Sequence, residues 1–477
     1  MSSSRKLVVG IDFGTTFSGV AWLFYNGTKA PADPQIITRW LSTHARNTIE
    51  KAKGPSLIKA APIHVVLTVP AIYQDYGRER MRRAAELAGI LDKRPLCDDT
   101  TLSFVTEPES AVIATLPELD YRGDLEPNDT FVLCDCGGGT VDIISYMVVQ
   151  KSPLVIRECV EGDVNGNTVS NAISTAQIGP GFWTSQSEAN EANWKSHRRS
   201  QKLPLTPIQP TKETILIISR SEIRGVFSNV TTRIKDLVGN QVQAIKKKTS
   251  KNPKFVILAG GFGRCPFIYA SLREQYQGVT EVLQSDGERP WSAICRGAAM
   301  YGALGHGLTD DGVRVQSRVS RLSYGWKHNA HFIKGEHLIE DKLWDELGGY
   351  YVAANQMQWA IKRGDDVETS HAKTFPYCRK YYMWEIGKQV GCDDIYTSTK
   401  SDPTSRFGSG YELPLLTSIK WETPFRVEEL PVKRRLRRAY RQFDFEYQME
   451  VSGASLDLRI VADGKVLGAK SLQVKTD

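Results

Sequence analysis

Two short stretches of this 477-residue chain place an aspartate directly before a turn of small residues: Asp12-Phe13-Gly14-Thr15-Thr16 and Asp135-Cys136-Gly137-Gly138-Gly139-Thr140. Glycine lacks the Cβ that would hold a ligand away from the backbone. Such turns, with their N–H groups and threonine hydroxyls, let phosphate oxygens approach closely. A carboxylate beside the turn can hold magnesium, usually through retained waters, because that ion dehydrates reluctantly. Asp12 and Asp135 are therefore the candidate metal-holding groups, and the two turns are the candidate phosphate cradle. Gly-Thr hairpin turns are common, so either stretch alone is weak evidence. The repetition makes it strong.

The elements that must position these residues are also repeated. Leu7–Ile11 and Phe17–Phe24 flank the first turn with β-rich apolar runs, and Phe131–Cys134 and Val141–Val149 flank the second. A strand, turn, strand unit that occurs twice predicts two related lobes closing on a ligand in the cleft between them. In the first half His64–Val69 reads as a strand and Arg78–Gly89 as a helix stopped by its glycine. Phe104-Val105 reads as a strand running into a helix opened by Glu107-Pro108-Glu109, where proline's missing N–H is no loss. Glu107 stands at the mouth of that helix, a place the helix dipole favours for a carboxylate even without a chemical role.

In the second half Ser219 and Glu222 have capping-box spacing ahead of an apolar stripe from Ile223 to Ile245. The strand Phe255–Leu258 follows, and then a helix with Gly297, Ala298, Ala299, Gly302 and Ala303, whose small residues permit close packing. Cys134 and Cys136 alternate with Asp135, which puts both thiols on the face opposite the aspartate and reads as buried structural cysteine. Residues from roughly 162 to 212 are polar and irregular. Beyond about residue 311 the character changes to a β-rich tail, with strands at Phe443–Val451, Leu456–Val461 and Leu467–Val474.

Composition narrows the classes. With 41% hydrophobic and 24% charged residues the chain is ordinary for a globular protein. The net charge of +7 is modest, with basic clusters at Lys246-Lys247-Lys248 and Lys433-Arg434-Arg435-Leu436-Arg437-Arg438. Either cluster reads as a solvated face or as a contact for an acidic partner. No nucleic-acid-binding signature accompanies them, so no nucleic acid is expected. Met1–Lys6 is short and polar, and no apolar run approaches the roughly 20 residues that span a bilayer. The expectation is a cytoplasmic protein without a membrane partner. Eight scattered cysteines fit reduced thiols. No Walker-type motif occurs, and Gly261-Phe262-Gly263 lacks the third glycine of a dinucleotide fingerprint.

The duplicated hairpins resemble the phosphate loops of the actin, sugar-kinase and heat-shock ATPase superfamily. Gly10-Ile11-Asp12-Phe13-Gly14-Thr15-Thr16-Phe17-Ser18 is similar to the first loop of the seventy-kilodalton heat-shock chaperone family, and Asp135–Asp142 to the second. Val69-Pro70-Ala71 with Arg82, Ala84, Ala85 and Ala88-Gly89-Ile90 looks like that family's stretch before its connecting helix. Glu107-Pro108-Glu109-Ser110-Ala111 looks like its Glu-Pro-x-x-Ala, and Gly260–Pro266 like its adenosine segment. Residues Ser317-Arg318, Arg321, Tyr324-Gly325, Asn355-Gln356-Met357, Trp359 and Gly364-Asp365 resemble a divergent heat-shock-like branch found in animals and fungi.

The resemblance implies an α/β, two-lobed actin-like ATPase (ribonuclease H-like) fold: a shortened first lobe over residues 1–130, a second lobe over 131–310 and a β-rich C-terminal region over 311–477. It implies ATP or ADP with Mg2+ as ligand. Phosphates lie on Gly14, Thr15, Thr16 and on Gly137, Gly138, Gly139, Thr140. Gly260 and Gly261 approach the nucleoside, and Arg264 covers the base, where a guanidinium stacks well. Glu107 and Asp135 take the catalytic places, Glu107 helping to orient the attacking water, and Asp12 and Asp135 the metal. Client proteins and co-chaperones are the implied partners.

Departures from the family pattern bear on catalysis. About sixty residues separate the first loop from Val69-Pro70, fewer than the family has, which points to a missing peripheral subdomain joined near Trp40-Leu41. The family's catalytic lysine belongs to that region, and Lys29, Lys51 and Lys53 lie in no matching motif. The glycine pair expected after the second loop is replaced by Glu161–Gly166, and the main chaperones' peptide-binding sandwich, helical lid and acidic terminal motif are not recognisable. The expected function is nucleotide binding with weak or absent hydrolysis. A degenerate non-catalytic binding or interaction module, a small-molecule kinase of the same superfamily and an actin-like assembling protein remain alternatives.

Overall fold

A computed structural model describes residues 5–14, 18–27, 33–37, 43–54, 61–70, 75–94, 99–119, 124–165, 201–204, 215–218, 220–310, 312–368, 372–408, 413–435, 438–452 and 455–473. Thr15, Thr16, Lys29, Trp40-Leu41, Ser219 and most of the polar stretch 162–212 lie outside the described residues. The chain divides into two compact units. The first comprises Met1–Val69, Leu91–Leu154 and Gly162–Val313, the second Pro70–Ile90, Val155–Glu161 and Arg314–Asp477.

In the first unit β1 (Lys6–Phe13) and β2 (Ser18–Tyr25) form an antiparallel hairpin, and β3 (Gln35–Ile37) pairs with β2. Two further strands run parallel, β4 (Ile63–Val69) beside β1 and β5 (Thr101–Thr106) beside β4, giving the order β3-β2-β1-β4-β5. Helix α1 (Thr43–Lys53) precedes β4, and α3 (Glu107–Glu118) follows β5 directly; α2 (Asp75–Leu87), which comes between β4 and β5 in the chain, belongs to the second unit. The second sheet repeats this grammar. It starts from the hairpin β6 (Thr130–Cys136) and β7 (Val141–Gln150). After β8 (Val155–Glu158), which belongs to the second unit, β9 (Asp163–Asn165) pairs with β7, and β10 (Gln201–Pro204) with β11 (Ile215–Ile218). Helix α4 (Arg220–Thr249) leads to β12 (Phe255–Ala259), α5 (Pro266–Gln275) to β13 (Glu281–Gln284), and α6 (Arg289–Gly305) follows. With β12 parallel to both β6 and β13, the order β7-β6-β12-β13 matches β2-β1-β4-β5 role for role.

The parallel strands read as unbroken apolar runs because both faces are covered. Val8, Val66 and Val105 pack against Cys295, Ala298, Ala299 and Ala303 of α6. That helix can lie so close because of glycine: a Cβ on Gly10 would strike the backbone of Cys295 and Ala299, and one on Gly297 the backbone of Ser110 in α3. Helix α3 is opened by Thr106, whose hydroxyl accepts the Glu109 N–H at 3.4 Å, with Pro108 in the first turn. Helix α2 stops as its sequence predicts: Gly89 takes φ 71°, its N–H reaches Glu86 O and that of Ile90 reaches Ala85 O, satisfying the last carbonyls. Arg296, 2% exposed, ties α6 to α3 through the Glu118 carboxylate, with Ser292 Oγ and the Arg289 carbonyl each at 3.1 Å.

The second unit is β-rich. Short strands β14 (Arg314–Val315) and β15 (Ser317–Val319) precede β16 (Ser323–His331), β17 (Lys342–Asp345) and β18 (Tyr350–Ile361). Next come β19 (Asp366–Glu368), β20 (Lys373–Tyr382), β21 (Val390–Ser398) and β22 (Leu415–Glu422). The last four are β23 (Val432–Arg435), β24 (Arg438–Ser452), β25 (Ser455–Ala462) and β26 (Lys465–Gln473). One sheet has the order β17-β18-β16-β21-β22, the other β20-β24-β25-β26 with β23 also on β24. They share one aromatic core, in which Trp326 of β16 meets Tyr447 of β24 with ring centroids 4.6 Å apart and Trp421 of β22 meets Phe445 at 5.3 Å. The β-rich tail read from sequence at 443–474 is thus one layer of a two-sheet packing. The other layer escaped notice because its strands keep polar residues on an outward face.

Candidate functional site

The first unit gathers its acidic residues at the carboxyl ends of strands. Asp12 ends β1, Glu107 follows β5, and Asp135 ends β6, with Ala259 of β12 beside it in parallel register. Asp12 Oδ1 accepts the Thr68 hydroxyl at 2.9 Å from the end of β4. Asp142 opens β7 and stands directly opposite Asp135 in the ladder. Carboxylate oxygens of Glu107, Asp135 and Asp142 lie within 4.8 Å of one another. Asp135 and Asp142 are each 2% exposed, and an Oδ1 of each has no hydrogen-bond partner among the described residues.

Like charges opposed across a ladder are destabilising, and burial adds a desolvation cost to each. Burial is accordingly the leading cause at all four acids. It lifts Asp12 and Asp142 from the usual 3.8 to about 6 each. Burial and the charges of Asp142 and Asp12 hold Asp135 well above its ordinary range; Glu107 is raised likewise by burial and by all three aspartates. A cluster of oxygen donors with orphaned lone pairs and a surplus of negative charge fits a hard divalent cation such as magnesium.

The other sequence-predicted residues fall as follows. Gly137 donates to the Thr140 carbonyl at 3.0 Å, closing the second turn, with Gly138 and Gly139 between them. Gly14 begins the first turn and is exposed; Thr15 and Thr16 are outside the described residues. Gly260 takes φ +81°, and a Cβ there would strike Asp135 Oδ1 and the Cys136 carbonyl, so β12's turn seats closely on the second hairpin only because it is glycine. Gly261 lies against Trp291. Arg264, in the short 3-10 turn Phe262–Arg264, pairs with Glu288 at 3.2 Å. Cys134 and Cys136 are buried with their Sγ atoms 3.5 Å apart.

The residue that sequence reasoning did not assign is Asp142. Its signal was present: it lies seven positions after Asp135, the separation that antiparallel pairing around this turn brings face to face.

No family model matches the chain. Curated relatives do. It is 24% identical to a mitochondrial-type heat shock protein 70 of Encephalitozoon hellem over 67% of this chain and 53% of that protein. It is 24% identical to the chaperone protein DnaK of Akkermansia muciniphila over 60% of this chain and 44% of that one. A chaperone protein HscA homolog of Neisseria meningitidis is 26% identical over 63% and 45%. The chain is distantly similar to the heat shock protein 70 family. It spans about half the length of the curated relatives it matches. Mixed α/β sheets consistent with actin-like ATPase lobes, followed by β-rich sheets, accord with that similarity.

Proposed function

We propose that this heat shock protein 70 relative binds ATP or ADP with Mg2+ at Asp12, Glu107, Asp135 and Asp142, and hydrolyses ATP slowly or not at all. The observation that carries the reading is the pair of unpartnered, buried Oδ1 atoms on Asp135 and Asp142 facing Glu107. Bound there, magnesium would supply the positive charge that these acids lack and that phosphate oxygens require. The Gly137–Thr140 turn and the first-hairpin turn would cradle the phosphates, while Gly260, Gly261 and Arg264 would hold the nucleoside, Glu288 fixing the guanidinium. Phosphoryl transfer depends on positioned charge. The lysines on α1 supply little: Lys51 and Lys53 are exposed, and Lys53 Nζ sits over the rings of Trp22 and Phe24 at 5.9 and 5.7 Å. That supports weak turnover.

By family analogy, client proteins or co-chaperones are the proposed partners, in the manner of a divergent heat-shock-like branch. The seven described cysteines are all free, and no described helix is long and apolar enough to cross a membrane. The free cysteines support placement in a reducing compartment such as the cytoplasm.

Thermal unfolding with Mg-ATP, Mg-ADP and AMP tests the site, since a ligand at about 100 times its Kd adds roughly 2.7 kcal/mol. A magnesium-dependent rise with ATP and ADP is expected, and Asp135→Ala should weaken binding by at least about 100-fold while leaving the chain folded. No shift in the parent, or unchanged affinity in the variant, would overturn the assignment.

A further inference from the structure

The second unit carries apolar side chains where the chain has no need to expose them. Trp384 is 74% exposed and Ile386 65%, both in the connection from β20 to β21, and Val390, which opens β21, is 72% exposed. That connection is tied down. The Glu385 carboxylate accepts the Tyr382 N–H at 2.5 Å, the Gly387 N–H donates to Glu428 at 2.6 Å, and Tyr382 stacks on Trp384 at 5.5 Å. Beside it lies the basic hairpin of β23 and β24. Arg441 Nη1 donates to the Met383 carbonyl at 3.3 Å, and Tyr440 stands opposite both Tyr382 and Lys433 in its two ladders.

Basic groups predominate here, Glu385 between Trp384 and Ile386 being an acid whose carboxylate accepts only the Tyr382 N–H among the described residues. Asp345 is occupied by Lys380, Glu346 by Arg438, Glu422 by Lys388 and Glu428 by Arg426. Lys433, Arg434 and Arg435 are exposed, and neither they nor Arg441 have a carboxylate partner among the described residues; Arg435 rests over the Tyr350 ring at 5.3 Å. Lysine and arginine on an edge strand serve to discourage strand-to-strand aggregation. That accounts for β23. It does not account for a rigid turn that holds a tryptophan and an isoleucine outward next to it, which works against solubility.

We propose that this end of the second unit docks on an anionic membrane surface, with Lys433, Arg434 and Arg435 meeting acidic headgroups and Trp384 and Ile386 entering the interfacial layer. Tryptophan favours that layer, and a basic cluster beside it is attracted by anionic lipid. Ile386 and Val390 offer no ring on which a base would stack, so a single-stranded nucleic acid fits the same surface less well. Docking of this kind lies on the bilayer without spanning it, in keeping with the lack of a membrane-crossing helix among the described ones.

Co-sedimentation of the full chain with vesicles of phosphatidylcholine alone, or with phosphatidylserine added, tests this. Phosphatidylserine should tighten binding at least about tenfold, and added salt should reverse it. Lys433→Glu with Arg434→Glu should return binding to the phosphatidylcholine level. Trp384→Ala should weaken it about fivefold and remove the tryptophan emission quenched by brominated lipid, with the unfolding temperature unchanged. Binding indifferent to phosphatidylserine or to the charge reversal would overturn the proposal. So would a single-stranded RNA or polyglutamate probe that outcompetes the vesicles at these residues.

Discussion

Aligned on their aspartates, the β1/β2 and β6/β7 hairpins differ seven residues on, where the first has Gly19 and the second Asp142. In both ladders that residue stands opposite the aspartate, as Asp12 to Gly19 and Asp135 to Asp142. Gly19 leaves room for Cys295 of α6, whose Sγ would lie 3.0 Å from an added Cβ. Asp12 meanwhile receives the Thr68 hydroxyl at 2.9 Å. The second hairpin sets two carboxylates face to face with an unpartnered oxygen on each. A duplicated backbone therefore delivers two geometrically related aspartates, and divergence concentrates the unsatisfied charge on one of them. Such charge is costly without a cation and useful with one.

Asp142→Asn breaks this asymmetry most severely. The Asp142 carboxyl has a folded-state pKa of about 6 against an ordinary 3.8, so the folded state holds its proton more tightly. Its contribution favours folding fully below about pH 4 and is lost as pH rises through 6. Without metal, Asp142→Asn should be more stable than the parent at pH 7–8 by on the order of 3 kcal/mol, the gap closing near pH 4. Denaturant unfolding across that range, with chelator and then with magnesium, measures it. Identical pH profiles for the two proteins would show that burial does not raise the Asp142 carboxyl as described.

Gly260→Ala sharpens the comparison by acting only on the second hairpin. At φ +81°, with a Cβ directed at Asp135 Oδ1 and the Cys136 carbonyl, alanine should cost about 2 kcal/mol or more. Gly137→Ala is the control, since its Cβ would stand 3.4 Å from the Thr140 carbonyl, an ordinary contact, and should change stability by about 0.5 kcal/mol or less. Equal costs in urea unfolding would mean that the β12 turn does not seat on Asp135 as described.

What the sequence revealed follows the range of the interactions. The hairpins, the Glu107-Pro108 helix start and the Gly89 stop are local, set by periodicity, turn residues and backbone limits within a few positions, and they were legible. The closeness of α6 to β1 was half legible, since Gly297 and Ala298 announced a tight contact without naming Gly10 or Ser110 as its other side. Asp142 required the ladder register, which a short run of residues fixes only once the strands pair. Strands such as β20, Lys373–Tyr382, mix lysine, arginine and proline with their aromatic residues, and only Tyr377 meeting Trp326 of the facing sheet makes the layer evident.

Thr68→Val has the smallest expected effect and addresses the other half of the asymmetry. The hydroxyl it removes is the side-chain donor that holds the Asp12 pKa down against burial, so the Asp12 titration should move above 6. Losing one such bond should cost about 1 kcal/mol in the metal-free protein at neutral pH. Carboxyl titration by NMR and the Mg-ADP thermal shift read the two consequences separately. A moved titration with unchanged nucleotide affinity would confine Thr68 to placing Asp12. An unmoved titration would leave Gly19 and Asp142 as the whole difference between the hairpins, because no other described group donates to Asp12.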